Sequence, residues 1–230
     1  MKNNIVKNPD KPRILMISPV FYPYPPIWPE GIVNAKLALA MKKAGWHIDI
    51  IIAGYPDGSD GRYPSEEVGW KELVDNVHII SHEQRTLVRI LNLVRGSVLA
   101  GQMIRGIGWG SLVLKIAKKL NCEFKYDVMI SRAIPHDAHF AALLVHIQTR
   151  IPWIANWNDP TPNHKFPPPY GKGPDSPLTP NLQKSYQAIC KRCLWHVFPC
   201  ERLRKYMCSY LPGQIKIKSS VIPHVAMEKF

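Results

Sequence analysis

The sequence predicts a doubly wound α/β domain: a parallel sheet with helices on both faces. Three observations lead there. Short apolar runs alternate with helical patterns from Arg13 to Ile222. The stretches between successive runs have room for crossover helices, as parallel strands require. Proline, histidine, tryptophan and acid residues gather in the segments that follow the runs, where open α/β sheets bind their ligands.

The first run, Arg13 to Ser18, is bounded by Pro12 and Pro19 and reads as a buried strand. The proline- and aromatic-rich segment behind it cannot hold regular structure. A helix is predicted from Glu30 and Gly31, with Val33, Leu37, Ala40, Met41 and Ala44 at helical spacing and Gly45 as its C-terminal cap. His47 to Ala53 completes a βαβ unit. Gly54 to Asn76 is polar and reads as a surface excursion; Val77 to Ile80 is a short third strand. Helical patterns cover Glu83 to Ala100 and Trp109 to Asn121. Tyr126 to Ser131 is strand four, Pro135 to Thr149 a helix, and Pro152 to Trp157 strand five. Asp159 to Pro180 is a long loop rich in proline and glycine, of the kind that serves function. Helix Pro180–Arg192, strand Trp195–Pro199, helix Glu201–Tyr210 and strand Lys218–Ile222 close the pattern.

A chain of 230 residues suits one core, and no repeat or low-complexity tail interrupts it. Met1 to Lys11 is polar and lacks the apolar segment of a secretory signal, so residues 1–12 are expected to be a flexible tail. No apolar run reaches the roughly 20 residues that span a bilayer. A cytoplasmic protein is the expectation. The five cysteines give no regular framework, and Cys190-x-x-Cys193 has no second pair to complete a zinc site; free thiols are expected.

The net charge is +13 and the isoelectric point about 9.6, which draws the chain to polyanions. No helix-turn-helix, zinc module or RNP-type strand is present, so nucleic acid is not expected as the partner. From Gln84 to Cys122 there is no acid at all, while Arg85, Arg89, Arg95, Arg105, Lys115, Lys118 and Lys119 are present. Leu87, Ile90, Leu91, Val94 and Val98 form an apolar stripe in this stretch. Basic amphipathic helices of this kind lie on anionic membranes, and Arg85, Arg89 and Arg95 are the candidate membrane-facing cations. An ordinary domain helix with a solvated basic face is the alternative.

The doubly wound class selects the loops at 19–31, 131–137, 156–164, 199–202 and 223–225 as the ligand edge. The first holds neither a G-x-G-x-x-G nor a P-loop, only Gly31 at a helix start; this glycine either admits a phosphate to free N–H groups or eases a tight turn. His136 and His139 lie three apart and share a helix face, with no third ligand in register for a metal. They stand where a substrate hydroxyl or phosphate would lie, or else they are structural. The Asn156-Trp157-Asn158-Asp159 segment puts an acid beside aromatic faces, which suits carbohydrate; an Asx-turn is the plain alternative.

Five segments together resemble the N-terminal domain of the family 4 glycosyltransferases. These are R-I-L-M-I-S-P-V-F-Y-P with E-G-I-V-N-A-K-L-A-L-A-M, Y-D-V-M-I-S-R-A-I-P-H-D-A-H-F-A-A-L-L, I-P-W-I-A-N-W-N-D-P, F-P-C-E-R-L-R-K-Y, and V-I-P-H-V. The departures are Arg132 and Ala133, where small residues or prolines are common, and Asn156 and Asn158, where an acid and an arginine are usual. The resemblance implies a GT-B enzyme of two Rossmann-like domains facing across a cleft. Residues 13–225 would be the acceptor-side domain, residues 226–230 the start of the linker, and the donor-binding domain would be absent.

It further implies retaining transfer from a nucleotide-sugar, a co-substrate rather than a cofactor, to a saccharide or lipid-linked acceptor, with no metal. Gly31 would meet the donor phosphate; His136, His139 and Asp159 would lie at the transferred sugar or acceptor. Arg132, Trp157, Glu201 and His224 would line the cleft. The basic stretch adds an expected peripheral position at the inner face of the plasma membrane, in surface polysaccharide synthesis. The isolated domain is expected to be inactive. The competing reading is a non-catalytic α/β module that binds an anionic ligand or polymer.

Overall fold

The computed structural model describes residues 11–24, 28–54, 70–81, 86–100, 107–133 and 137–224. Seven parallel strands form one sheet in the order β3-β2-β1-β4-β5-β6-β7. They are β1 (Arg13–Ile17), β2 (His47–Gly54), β3 (Asn76–Ser81), β4 (Val128–Ala133), β5 (Trp153–Trp157), β6 (Trp195–Phe198) and β7 (Ser219–Val221). The chain winds outward from β1 in one direction, then returns to β1's other side with β4 and winds the opposite way. The switch point lies between β1 and β4, where Ile17 pairs with Ser131.

The pleat divides each strand between two cores. Leu15, Ile17, Met129, Trp153, Ala155 and Trp157 face one side, with helices α4 (Ile107–Phe124), α5 (Asp137–Thr149) and α6 (Pro180–Arg192). Ile14, Met16, Ile48, Ile50, Ile52 and Ile130 face the other, under α1 (Pro29–Lys43) and α2 (Trp70–Leu73). This is the two-residue period of a strand with both faces covered.

The face that α1 buries is not the one its larger apolar residues predict. Gly31, Asn34, Ala35 and Ala38 are buried, while Val33, Leu37, Ala40 and Met41 are half-buried and Ala44 is exposed. Small side chains let the helix lie close to the sheet, and close approach outweighs side-chain size here. The glycine stop is where the sequence places it: Gly45 has φ 92° and donates to the carbonyl of Lys42.

Strand β4 runs two residues beyond the predicted Ser131. Arg132 therefore belongs to the strand rather than to a loop, and the pleat fixes which way its side chain leaves. The short helices α2 and α8 (Gln214–Ile217) and a 3-10 turn at Asn163–Lys165 occur where the sequence pattern shows only irregular chain. One-turn helices carry too few residues for periodicity to appear.

The long loop after β5 is tied down. The buried Lys165 ammonium donates to the carbonyls of Pro174 and Ser176 and lies over the ring of Tyr210. The Tyr206 hydroxyl donates to the Lys165 carbonyl at 2.7 Å, and the Tyr210 hydroxyl accepts from the Thr161 N–H at 3.2 Å. Both tyrosines belong to or directly follow α7 (Glu201–Cys208), so the loop is held against that helix.

Among the described residues, helix α3 (Thr86–Ala100) rests chiefly on α4, with α5 beside it. A Cβ on Gly96 would sit 2.6 Å from Ile107 Cγ1 and 2.9 Å from its carbonyl oxygen, and the Ser111 hydroxyl donates to the Asn92 carbonyl at 3.0 Å. The apolar stripe faces outward: Leu87 is 76% exposed, Leu91 68% and Val98 74%. An ordinary domain helix turns such a stripe inward.

Candidate functional site

At the switch point, three elements converge on one hydrogen-bonded chain. Ser18 follows β1, Asn34 projects from α1, and Arg132 ends β4; all three are buried. The Ser18 hydroxyl donates to the Val20 carbonyl at 2.8 Å. The Asn34 amide nitrogen donates to Ser18 Oγ at 2.7 Å and to the Val20 carbonyl at 2.9 Å. That leaves the Asn34 amide oxygen to accept from Arg132 Nε at 2.7 Å. Every hydrogen-bonding position of the amide hydrogens is used, so the amide cannot flip.

Arg132 is 2% exposed, and its Nη2 has no hydrogen-bond partner among the described residues. Burial alone brings its guanidinium down to about 9. Among the described residues no carboxylate pairs with it. A buried cation without a counter-charge is costly, and proteins seldom keep one without use for it. His224, exposed after β7, is held below the ordinary histidine range first by partial burial and then by the nearby Arg132 charge.

The loop after β5 adds acids and a second unsatisfied group. Asp159 is half-buried and its carboxyl is raised, first by desolvation and then by Glu30 in the first turn of α1. Both amide atoms of Asn158 are buried without partners among the described residues. The structure thus brings Arg132 together with His224, and Asp159 with Glu30. Asn34 and Ser18 were not singled out in the sequence. The legible signal for Asn34 is a polar residue on the small-residue face of an otherwise apolar helix.

Other expected site residues stand elsewhere. His139 is 1% exposed and sits in the α5-side core, with Nδ1 against Ser131 Oγ at 2.7 Å and its ring edge-on to Trp157 at 4.1 Å. Trp157 is fully buried on the same face, donating from Nε1 to His196 Nδ1 at 3.1 Å, so its ring is not presented to a sugar. The strand period explains Trp157: residues 153, 155 and 157 share the sealed face, and His139 meets that face from the inner side of α5. His196, buried and neutral, is depressed to about 4 by desolvation.

Glu201 is exposed at the start of α7, its two oxygens taken by Arg204 at 2.8 and 2.9 Å, and that bond lowers its carboxyl. Gly31 is buried, its carbonyl accepts from the Tyr22 N–H at 3.2 Å, and a Cβ there would lie 3.2 Å from Tyr22 N. That close approach is a packing reason for a glycine. Arg89 and Arg95 are exposed on α3. His136 and Arg85 lie outside the described residues.

Cys190 and Cys193 are free and buried, both pushed up to about 12, chiefly by desolvation, which leaves protonated, unreactive thiols. Among the described residues no group of histidine, cysteine and carboxylate side chains has the arrangement of a metal site. A surface hollow of about 520 Å³ lined by Arg13, His47, His78, Lys119 and Glu123 opens at the opposite, amino-terminal edge of the sheet. There the neighbouring Asp49 is satisfied by His47, Asn76 and Tyr126 at 3.1, 2.7 and 2.5 Å.

No family model matches this sequence, and no curated protein matches it. Solved structures do. A putative UDP-N-acetylglucosamine 2-epimerase from Listeria monocytogenes superposes with a TM-score of 0.50 at 14% identity, covering 91% of this chain and 44% of that one. An E. coli trehalose-6-phosphate protein bound with UDP-2-fluoro glucose gives 0.49 at 11%, over 92% and 48%. The Glycyrrhiza uralensis UGT73P12 complexed with glycyrrhetinic acid 3-O-monoglucuronide gives 0.48 at 11%, again over 92% and 48%. The chain has the Rossmann-like α/β fold of GT-B proteins. It spans less than half the length of these structures.

Proposed function

We propose that this chain is the acceptor-side, N-terminal domain of a sugar-nucleotide-dependent GT-B enzyme, and within that class of a retaining glycosyltransferase. The observation that carries the reading is the set of polar groups at this end of the sheet that have no partner among the described residues, Arg132 Nη2 and both amide atoms of Asn158, beside the raised carboxyl of Asp159. They sit where an α/β sheet of this kind receives its ligand. Asp159, held above the ordinary carboxylate range beside Glu30, suits hydrogen bonding to acceptor hydroxyls. His136 is proposed to meet the transferred sugar, and Gly31 the donor phosphate.

The acceptor is proposed to be a saccharide or a lipid-linked sugar at an anionic membrane, in surface polysaccharide synthesis. The outward apolar stripe of α3, with Arg95 beside it, supports docking on such a surface. No helix among the described residues is long and apolar enough to cross a membrane.

The experiment is glycosyl transfer, screened over nucleotide-sugars, by the protein of the full reading frame that contains this sequence. His136→Ala and Asp159→Ala are each expected to lower the rate at least ten-fold. Wild-type rates for both variants would remove the assignment. A reading frame without a following domain of about 150–200 residues would favour the anion-binding module instead.

A further inference from the structure

We propose that Arg132 is a purpose-built receptor for a phosphoryl group, pre-set by Asn34 and Ser18 at the β1–β4 switch point. The site stands whether or not the domain serves a sugar transfer. Three independent features point to it.

The first is the free end of the guanidinium. Arg132 is almost wholly buried, Nε is anchored at 2.7 Å to Asn34, and Nη2 has no partner among the described residues. A guanidinium has five N–H donors in a rigid fork, and phosphate oxygens match that fork in pairs. Anchoring Nε while leaving Nη2 without a partner among the described residues aims the fork without consuming it.

The second is that no carboxylate among the described residues pairs with it. A titratable group that feels its charge is His224, which carries no negative charge and is itself disfavoured as a cation by Arg132. Glu30 acts on Asp159, and neither has a resolved effect on Arg132. Among the described residues the charge at the switch point is therefore left for a ligand's anion to neutralise.

The third is the start of α1. Asn34 belongs to that 15-residue helix, so Arg132 lies against its early turns. The N-cap residue Trp28 makes no side-chain cap bond, and the helix dipole adds positive potential at that end. A helix start alone would mean little; beside a buried guanidinium with an open edge it strengthens the same field.

The test uses this chain with inorganic pyrophosphate and inorganic phosphate as probes, read by thermal unfolding and by titration calorimetry. Wild type is expected to gain about 5–10 °C at a probe concentration about a hundred-fold above Kd. Arg132→Met is expected to lose the response, and its own Tm without probe to match or exceed that of wild type, since an unpaired buried charge has been removed. Arg132→Lys, which keeps the charge but not the fork, is expected to bind at least ten-fold more weakly.

Lys118→Met, a distant exposed cation, is expected to respond as wild type does. An equal response of wild type and Arg132→Met, or no response of wild type, overturns the site. If Arg132→Met unfolds, Arg132→Lys against wild type decides the matter alone, equal affinity being the overturning result. Two further arms identify the source of the phosphoryl group: a nucleoside diphosphate in solution, and vesicles containing phosphatidic acid. Competition of either with pyrophosphate, lost in Arg132→Lys, marks the physiological class.

Discussion

Replacing Leu91 by glutamate should separate a membrane-docking helix from an incidental apolar surface. Leu91 is 68% exposed in the middle of the α3 stripe, so a bilayer surface would bury about two-thirds of its side chain. Full burial of a leucine is worth about 1.5–3 kcal/mol, so this contact contributes about 1–2 kcal/mol. A carboxylate facing an anionic surface removes that and adds about 1 kcal/mol of repulsion. The total of about 2–3 kcal/mol corresponds to a loss of about 30–150-fold in partition coefficient.

The assay is co-sedimentation with vesicles of anionic phospholipid at low salt. Leu194→Glu, at an exposed leucine outside α3, is the control and should leave binding as it is. The cations should also differ. Arg95 lies between Leu91 and Val98 on the helix surface, whereas the near neighbours of Arg89 are Asn92 and Leu93, on the edge that meets α4. Arg95→Glu should therefore weaken binding more than Arg89→Glu. Unchanged binding by Leu91→Glu, or failure of wild type to sediment at low salt, would refute the docking of α3.

Ser131→Ala removes the one hydroxyl shared by His139 Nδ1 and Trp153 Nε1, both at 2.7 Å, and should cost about 1–3 kcal/mol; thermal melting should fall by about 3–10 °C. Asp159→Asn should raise the melting temperature while lowering transfer by the longer enzyme, because the folded state raises this carboxyl and so disfavours its charged form at neutral pH. The neutral His196, depressed to about 4, binds its proton more readily once unfolded. Stability should thus decline as pH falls from about 6.5 to about 4, which urea midpoints measured across that window will show. Gly96→Val should pry α3 from Ile107, since even a Cβ there meets backbone and side chain within 3 Å. Limited proteolysis of α3 should accelerate several-fold while the core remains folded.

The fold class was legible because strand period and glycine stops are local signals: β1, β2, β5 and the Gly45 cap lie within a residue or so of their expected bounds. The site was legible only by zone. The segments named by the topology do include Asn158, Asp159 and His224, and Arg132 near the end of β4. Which side chains reach the cleft was not readable, because direction depends on where a strand ends. Two added residues of β4 turn Arg132 to the α1 face and leave Ser131 on the other. Trp157 and His139 look like site residues from their position in the chain, but the pleat of β5 turns Trp157 into the core and the inner face of α5 does the same for His139. Asn34 was hidden because its meaning comes from Arg132, 98 residues away.

The pairing of Ser131 with Arg132 has a consequence for how such a domain can change. Adjacent residues on β4 serve separate clients, one the sealed interior and one the ligand edge. Mutational drift at Arg132 or Asn156, on the α1 side, can retune what is bound while the Ser131–Trp153–His139 assembly behind it stays intact. A one-residue insertion in this strand would exchange the two clients at once. Selection on ligand preference is thus expected to act by substitution at alternate positions and to reject changes in strand length.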